Sequence, residues 1–228
     1  MKEFNFLEKH KTIFKKYTVE KELGKGSFGK VYLGKAISNG ELVALKVEPI
    51  TKNNSALESE AYTLNNLKGF GIPKILSYGK TKNFRILIET LLGQSLCDIF
   101  KKYRRKLSLY DICLIAIQVL ERIELVHAHG YIHKDIKPDN FLIGKKDKNV
   151  IYIIDFGLSG KYISSKTNKH IKYRNIEKLM GSLRYASVNA LRGGEQSRKD
   201  DLISIGYMII YFMKRELPWQ TFKAKEKE

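Results

Sequence analysis

The run His133-Lys134-Asp135-Ile136-Lys137-Pro138-Asp139-Asn140 sets a carboxylate, a lysine and an amide at fixed offsets on one short stretch. Asp155-Phe156-Gly157 adds a second carboxylate fifteen residues after Asn140. These residue types suit moving a phosphoryl group from ATP to a hydroxyl, a reaction that needs positioning and charge neutralisation more than covalent help. Asp135 would orient the attacking hydroxyl and accept its proton, and Lys137 would screen the migrating phosphoryl. Asn140 and Asp155 would hold Mg²⁺. A lone Asp or Lys on a loop is ordinarily just solvated. The complete His-x-Asp-x-Lys-x-x-Asn spacing, followed by Asp-Phe-Gly, is what separates this stretch from that reading.

Upstream, Gly24-Lys25-Gly26-Ser27-Phe28-Gly29 matches G-x-G-x-x-G. A dinucleotide fingerprint would need a helix immediately after the third glycine. Here Lys30-Val31-Tyr32-Leu33 follows, β-branched and aromatic, so a strand is expected. A glycine loop between two strands suits closing over a triphosphate, because backbone N–H groups approach the oxygens with no Cβ in the way. Val31 then packs on the adenine. Val43-Ala44-Leu45-Lys46 places one lysine on an otherwise apolar strand, seventeen residues after Gly29. That is the position of a lysine pairing the α- and β-phosphates. Its acidic partner should lie on the following helix, where Glu58 and Glu60 both qualify. They face different sides, and Glu58, on one face with Tyr62, is the one assigned.

The elements that must position these residues read as two parts. Strand-like patterns run over 17–20, 31–34, 42–47, 75–78 and 85–88, with a helix over 57–67. After Leu91-Leu92-Gly93 the period becomes helical over 95–103 and 109–130. Short strands follow at 141–143 and 150–154, then a long irregular segment and a very apolar helix over 202–213. Residues 1–16 form a charged leader, 17–92 a β lobe with one helix, and 93–228 a mainly helical lobe. The cleft between two such lobes is where a ligand would sit.

Composition narrows the alternatives. With 228 residues and 43% hydrophobic content the chain can bury a core, which argues against global disorder. Net charge is +18, but the lysines are scattered. No basic stripe with interleaved aromatics is visible, so nucleic acid is not the expected partner. The two cysteines, Cys97 and Cys113, have no metal-ligand spacing and fit a reduced cytoplasmic or nuclear setting. No stretch approaches a bilayer span, so membrane insertion is not expected.

With these motifs in place, the chain resembles the eukaryotic protein kinases, and within them the casein kinase I family. The closer match rests on Leu91-Leu92-Gly93-x-Ser95-Leu96, Asp135 to Leu142, Tyr152 to Leu158, Arg184-Tyr185-Ala186-Ser187, Glu195 to Leu202, and Leu217-Pro218-Trp219-Gln220. It covers about residues 17–224. The resemblance implies an α+β, two-lobed kinase-like fold: a small antiparallel β N-lobe with one helix, and a mainly helical C-lobe lacking its last helices. It implies a monomer using ATP and Mg²⁺ to phosphorylate Ser or Thr in acidic or already phosphorylated proteins. Lys137, two residues after Asp135, is the serine/threonine-type choice. The implied nucleotide-binding set is Leu23, Gly24, Lys25, Gly26, Ser27, Phe28, Gly29, Val31, Ala44, Lys46, Glu58 and Leu92. Arg184, with Lys223 and Lys227, would form the basic site for substrate phosphate. Asp201 would anchor the catalytic-loop backbone.

Several positions depart from the family pattern. Lys134 stands for the usual Arg after the loop histidine, keeping charge without bidentate geometry. Glu89-Thr90 replaces an apolar residue followed by an acid, and puts Glu89 at the back of the adenine pocket, costly if ionised and unpaired. The segment between Lys46 and Glu58 is short. Family members continue through further helices beyond the position of Glu228, so the 202–213 helix and Trp219 are expected to expose apolar surface. The missing helices keep open a second reading, a non-catalytic kinase-fold module that binds or regulates. The intact Lys46, Asp135, Asn140 and Asp155 argue against it.

Overall fold

The computed structural model describes residues 11–26, 29–50, 55–176 and 181–221. Ten strands and five α-helices follow in chain order among these residues. The chain divides into two compact units. The first comprises Met1–Lys68, Ile72–Gly93 and Asp155–Gly157; the second comprises Gly69–Gly71, Gln94–Ile154 and Leu158–Glu228.

The first unit is built on β1 (Thr12–Ile13), β2 (Tyr17–Lys25), β3 (Lys30–Ala36), β4 (Leu42–Pro49), β5 (Ile75–Lys80) and β6 (Phe84–Thr90). They form one antiparallel sheet in the order β1-β2-β3-β4-β6-β5. Alternation decides the two faces. Val43, Leu45 and Val47 of β4 and Phe84, Ile86 and Ile88 of β6 point to one side. There they join Tyr17, Tyr32 and Ile13 in a buried apolar cluster. Ala44, Lys46 and Glu48 therefore share the opposite face with Arg85, Leu87 and Glu89.

Against that second face lies α1 (Ala56–Asn66), capped by the Ser55 hydroxyl, which accepts from Glu58 N at 3.0 Å. Leu57, Glu60, Ala61 and Leu64 are its buried stripe, spaced i, i+3, i+4, i+7.

The second unit contains α2 (Leu96–Lys102), α3 (Leu109–Ala128), β7 (Tyr131–Ile132), β8 (Phe141–Ile143), β9 (Ile151–Ile153), β10 (Gly160–Lys161), α4 (Val188–Leu191) and α5 (Arg198–Lys214). Helix α3 begins in a capping box between Ser108 and Asp111, and α5 in one between Ser197 and Asp200. These caps place the start of α5 a full turn earlier than its apolar run suggested. The two helices pack through a core that includes Val119, Ile123, Ile205 and Met208. Phe100 of α2 meets Tyr211 and Phe212 edge-on at 5.3 and 5.0 Å.

The β8–β9 hairpin and the antiparallel pair β7–β10 frame the segment between 133 and 140. Leu202, Ile210, Met213 and Trp219 are exposed. No helix among the described residues is long and apolar enough to cross a membrane.

Candidate active site

In the first unit, β2 and β3 form a hairpin with Gly24 opposite Val31 and Lys25 opposite Lys30. Gly26 N donates to Gly29 O at 2.8 Å and closes it. A Cβ on Gly29 would stand 2.1 Å from Val47 O, so only glycine lets the loop return this close to β4. A Cβ on Gly24 would meet nothing within 4 Å, and one on Gly26 would make only ordinary contacts with the Val31 side chain at 3.6 Å and Gly29 O at 3.8 Å. Ser27 and Phe28 lie outside the described residues. Leu23 and Lys25 are exposed, whereas Val31 pairs across the sheet with Lys46, and Leu33 with Ala44. Val31, Ala44 and Lys46 thus share a face, and Leu92 is half-buried just after β6.

The acid paired with Lys46 is Glu60, not Glu58. Lys46 Nζ donates to Glu60 Oε1 at 2.7 Å, with Glu60 only 3% exposed. Glu60 belongs to the stripe that α1 turns to the sheet. Glu58 shares the outer face with Tyr62, which is 60% exposed. Its carboxylate meets Lys80 at 3.0 Å and Arg85 at 3.5 Å. The stripe Leu57, Ala61, Leu64 was the sequence signal for Glu60, since position 60 lies beside it.

Glu60 Oε1 also accepts from Phe156 N at 3.3 Å, which ties α1 to the Asp155-Phe156-Gly157 segment of the same unit. Asp155 has φ 66°, a left-handed conformation uncommon for a residue with a Cβ.

Glu89 proves to be buried and paired rather than stranded: Lys46 Nζ lies 3.0 Å from its Oε1. One ammonium therefore serves two carboxylates. Burial would lower Lys46, but Glu60 and Glu89 outweigh it and keep the amine charged. The strain falls on Glu60. Burial, together with the charges of Glu89 and Asp155, pushes it up to about 7 against the pull of Lys46.

In the second unit, Asp201 near the start of α5 organises the loop. Its Oδ2 accepts from His133 N at 2.8 Å and from His127 Nε2 at 2.9 Å, and its Oδ1 from Lys134 N at 2.9 Å. Asp135 N donates to His133 Nδ1 at 3.3 Å. The other ring nitrogen then carries the proton and donates to Ile154 O at 2.9 Å. Lys134 takes a left-handed φ of 69°. Its ammonium reaches only 3.7 Å from Glu195, whose other oxygen accepts from Arg174 Nε at 2.6 Å.

Asp135, 5% exposed, is held on both oxygens. Oδ2 accepts from Lys137 Nζ at 2.6 Å and Asn140 Nδ2 at 3.2 Å. Oδ1 accepts from the backbone N and hydroxyl of Ser182, each at 2.8 Å. Burial would push the Asp135 carboxyl up, but Lys137 and the Ser182 hydroxyl outweigh it and hold it below the ordinary value. Gly181 makes the Ser182 contact possible: its φ is +91°, and a Cβ there would stand 2.3 Å from Lys134 O.

Ser182 belongs to the long irregular segment of the sequence, where no motif marks it. Asp200, which caps α5, also accepts from Ser187 Oγ at 2.6 Å and Asn189 Nδ2 at 3.2 Å, fixing the turn before the helix.

The amide nitrogen of Asn140 is committed to Asp135, bonding its backbone O at 2.8 Å as well. That leaves the Asn140 amide oxygen as a hard oxygen donor of the kind a divalent cation takes, and in the first unit the Asp155 carboxylate is another such donor. Of the three residues expected to bind substrate phosphate, Arg184 is exposed, its guanidinium 5.9 Å from the Tyr211 ring centre. Lys223 and Lys227 lie outside the described residues.

A family model, the protein kinase domain, matches residues 17–228.

Proposed function

Because the chain belongs to the protein kinase domain family, which acts on proteins with ATP and a divalent metal, we propose that it is a serine/threonine kinase of the casein kinase I type. It transfers the γ-phosphoryl of ATP to Ser or Thr hydroxyls in acidic or already phosphorylated proteins. The observation that carries this reading is the arrangement of Asp135 and Lys137, with the ammonium 2.6 Å from the carboxylate. A lysine at that offset is the serine/threonine-type residue.

The chemistry follows from these groups. Asp135, ionised, accepts a hydrogen bond from the substrate hydroxyl, aims it at the γ-phosphorus and takes the proton as the new O–P bond forms. Lys137 offsets charge on the migrating phosphoryl. Lys46 pairs the α- and β-phosphates, and the glycine loop, lacking Cβ atoms, lets phosphate oxygens approach its backbone. Asn140 and Asp155 would hold Mg²⁺, which when bound neutralises phosphate charge. Arg184 contributes to recognition of acidic or phosphorylated residues in the substrate.

The test is a matched peptide set with Ser, Thr or Tyr as acceptor, each with and without an upstream phosphoserine. Turnover on Ser and Thr that rises with the upstream phosphate is expected. Preference for Tyr, or indifference to upstream charge, would refute the specificity.

A further inference from the structure

Lys46 is bonded by one carboxylate more than its charge can balance. Glu60 comes from α1 at 2.7 Å and Glu89 from the neighbouring strand β6 at 3.0 Å. Both acids are more than nine-tenths buried, and Asp155 adds a third negative charge within electrostatic reach. Strand register explains how Glu89 gets there. It stands directly opposite Ala44 on β4, so it projects from the same face as Lys46 two residues along. Its second oxygen, Oε2, is buried and has no hydrogen-bond partner. Lys46 is thus its one polar contact among the described residues, and the Glu89 charge has no other ion to answer it.

We propose that Glu89 is a positioning residue that competes with nucleotide phosphate for Lys46 and so sets a low affinity for ATP. This rests on the reading of Lys46 as the phosphate-pairing lysine. An ammonium has three donors in tetrahedral directions. One is spent on Glu60, and the Glu89 carboxylate, 3.0 Å from the nitrogen, crowds the space a phosphate oxygen would need to reach the others. That oxygen then shares its lysine with a second anion a few ångströms away. Repulsion at that separation is substantial in a buried setting. The Lys46–Glu60 pair alone is neutral, so removing the Glu89 charge strands no cation. This differs from the usual severing of a buried pair, which leaves a charge uncompensated.

The test is nucleotide affinity measured directly, by calorimetry with ATP, ADP and adenosine, on the whole chain and on Glu89→Gln. The substitution keeps shape and hydrogen bonding but discards the charge. We expect ATP to bind roughly tenfold more tightly to the variant. ADP should gain similarly and adenosine not at all, and in turnover the gain should fall on KM rather than kcat. A merely structural role could not sort ligands by their phosphates, nor tighten binding.

Glu89→Met, which discards both charge and hydrogen bond at similar length, should shift ATP affinity in the same direction, so a poorly folding Gln variant would not end the test. Equal or weaker ATP binding in the variants overturns the inference while leaving the kinase reading intact. A gain equal for adenosine overturns it too, since the effect would not run through phosphate. Failure of every form, wild type included, to bind ATP would overturn both together.

Discussion

The pairing of Lys46 with Glu60 rather than Glu58 predicts a sharp contrast between two substitutions a half-turn apart on one helix. Glu60→Gln removes the charge that meets Lys46 at 2.7 Å in a setting where the side chains are 3% and 14% exposed. Severing a buried pair ordinarily costs about 3–5 kcal/mol because it strands a charge. Lys46 keeps Glu89, and Glu60 itself resists ionisation, so the stability cost should fall to about 1–2 kcal/mol. In a chain of this length that is a few degrees of Tm.

Activity should suffer more. Glu89 alone would draw the ammonium toward β6, and the link from Glu60 to Phe156 N would weaken. A loss of about 3 kcal/mol of transition-state stabilisation, roughly 100-fold in kcat/KM for ATP, is expected. Glu58→Gln touches a half-exposed pair with Lys80 and a longer 3.5 Å contact with Arg85, which keeps Glu48 at 3.9 Å, together worth about 1 kcal/mol. Its kcat/KM should stay within about twofold of wild type. The assay is steady-state phosphate transfer at varied ATP, with a thermal melt on each variant. Equal losses in both variants, or full activity in Glu60→Gln, would refute the assignment.

Two further outcomes follow from the same geometry. Asp201→Asn leaves one oxygen to serve the backbone N–H groups and the His127 ring that a carboxylate now serves. A loss of about 2–4 kcal/mol, read as a lowered Tm, and a drop in kcat without matching loss of nucleotide binding are expected. The pH response should separate activity from stability. Glu60 rises from an ordinary 4.5 to about 7 on folding. Its contribution to stability is therefore fully present below 4.5 and is lost as pH rises through about 7. Turnover runs the other way, because protonating Glu60 below about 7 loosens its hold on Lys46. Asp135 sits below its ordinary value and adds no limb in that range. In Glu60→Gln both trends should disappear from rate profiles and from melts at pH 5 and pH 8.

What the sequence disclosed and what it withheld divide along physical lines. The loop from His133 to Asn140 was legible as a unit because the residues that bond one another there lie within eight consecutive positions. The sheet was legible because 42–47 and 85–88 are short, mostly apolar runs that carry β-branched residues. Strand β1 was not, since its two residues owe their pairing to the chain reversal before Tyr17 and show no pattern of their own. Glu58 and Glu60 are both acids on one short helix, and only packing against β4 and β6 selects between them. Ser182 reaches Asp135 across 47 residues of chain, a distance no local motif encodes. Glu89 looked like a misplaced charge because its partner sits on a neighbouring strand, diagonal to it.

The most direct test of the central claim is transfer of labelled phosphate from ATP·Mg²⁺ to an acidic serine-containing protein, wild type beside Asp135→Asn. The account predicts transfer by wild type and a loss of about a thousandfold in the variant, with ATP binding retained in both. Undiminished transfer by Asp135→Asn, or a folded wild type that binds ATP and transfers nothing, would contradict it.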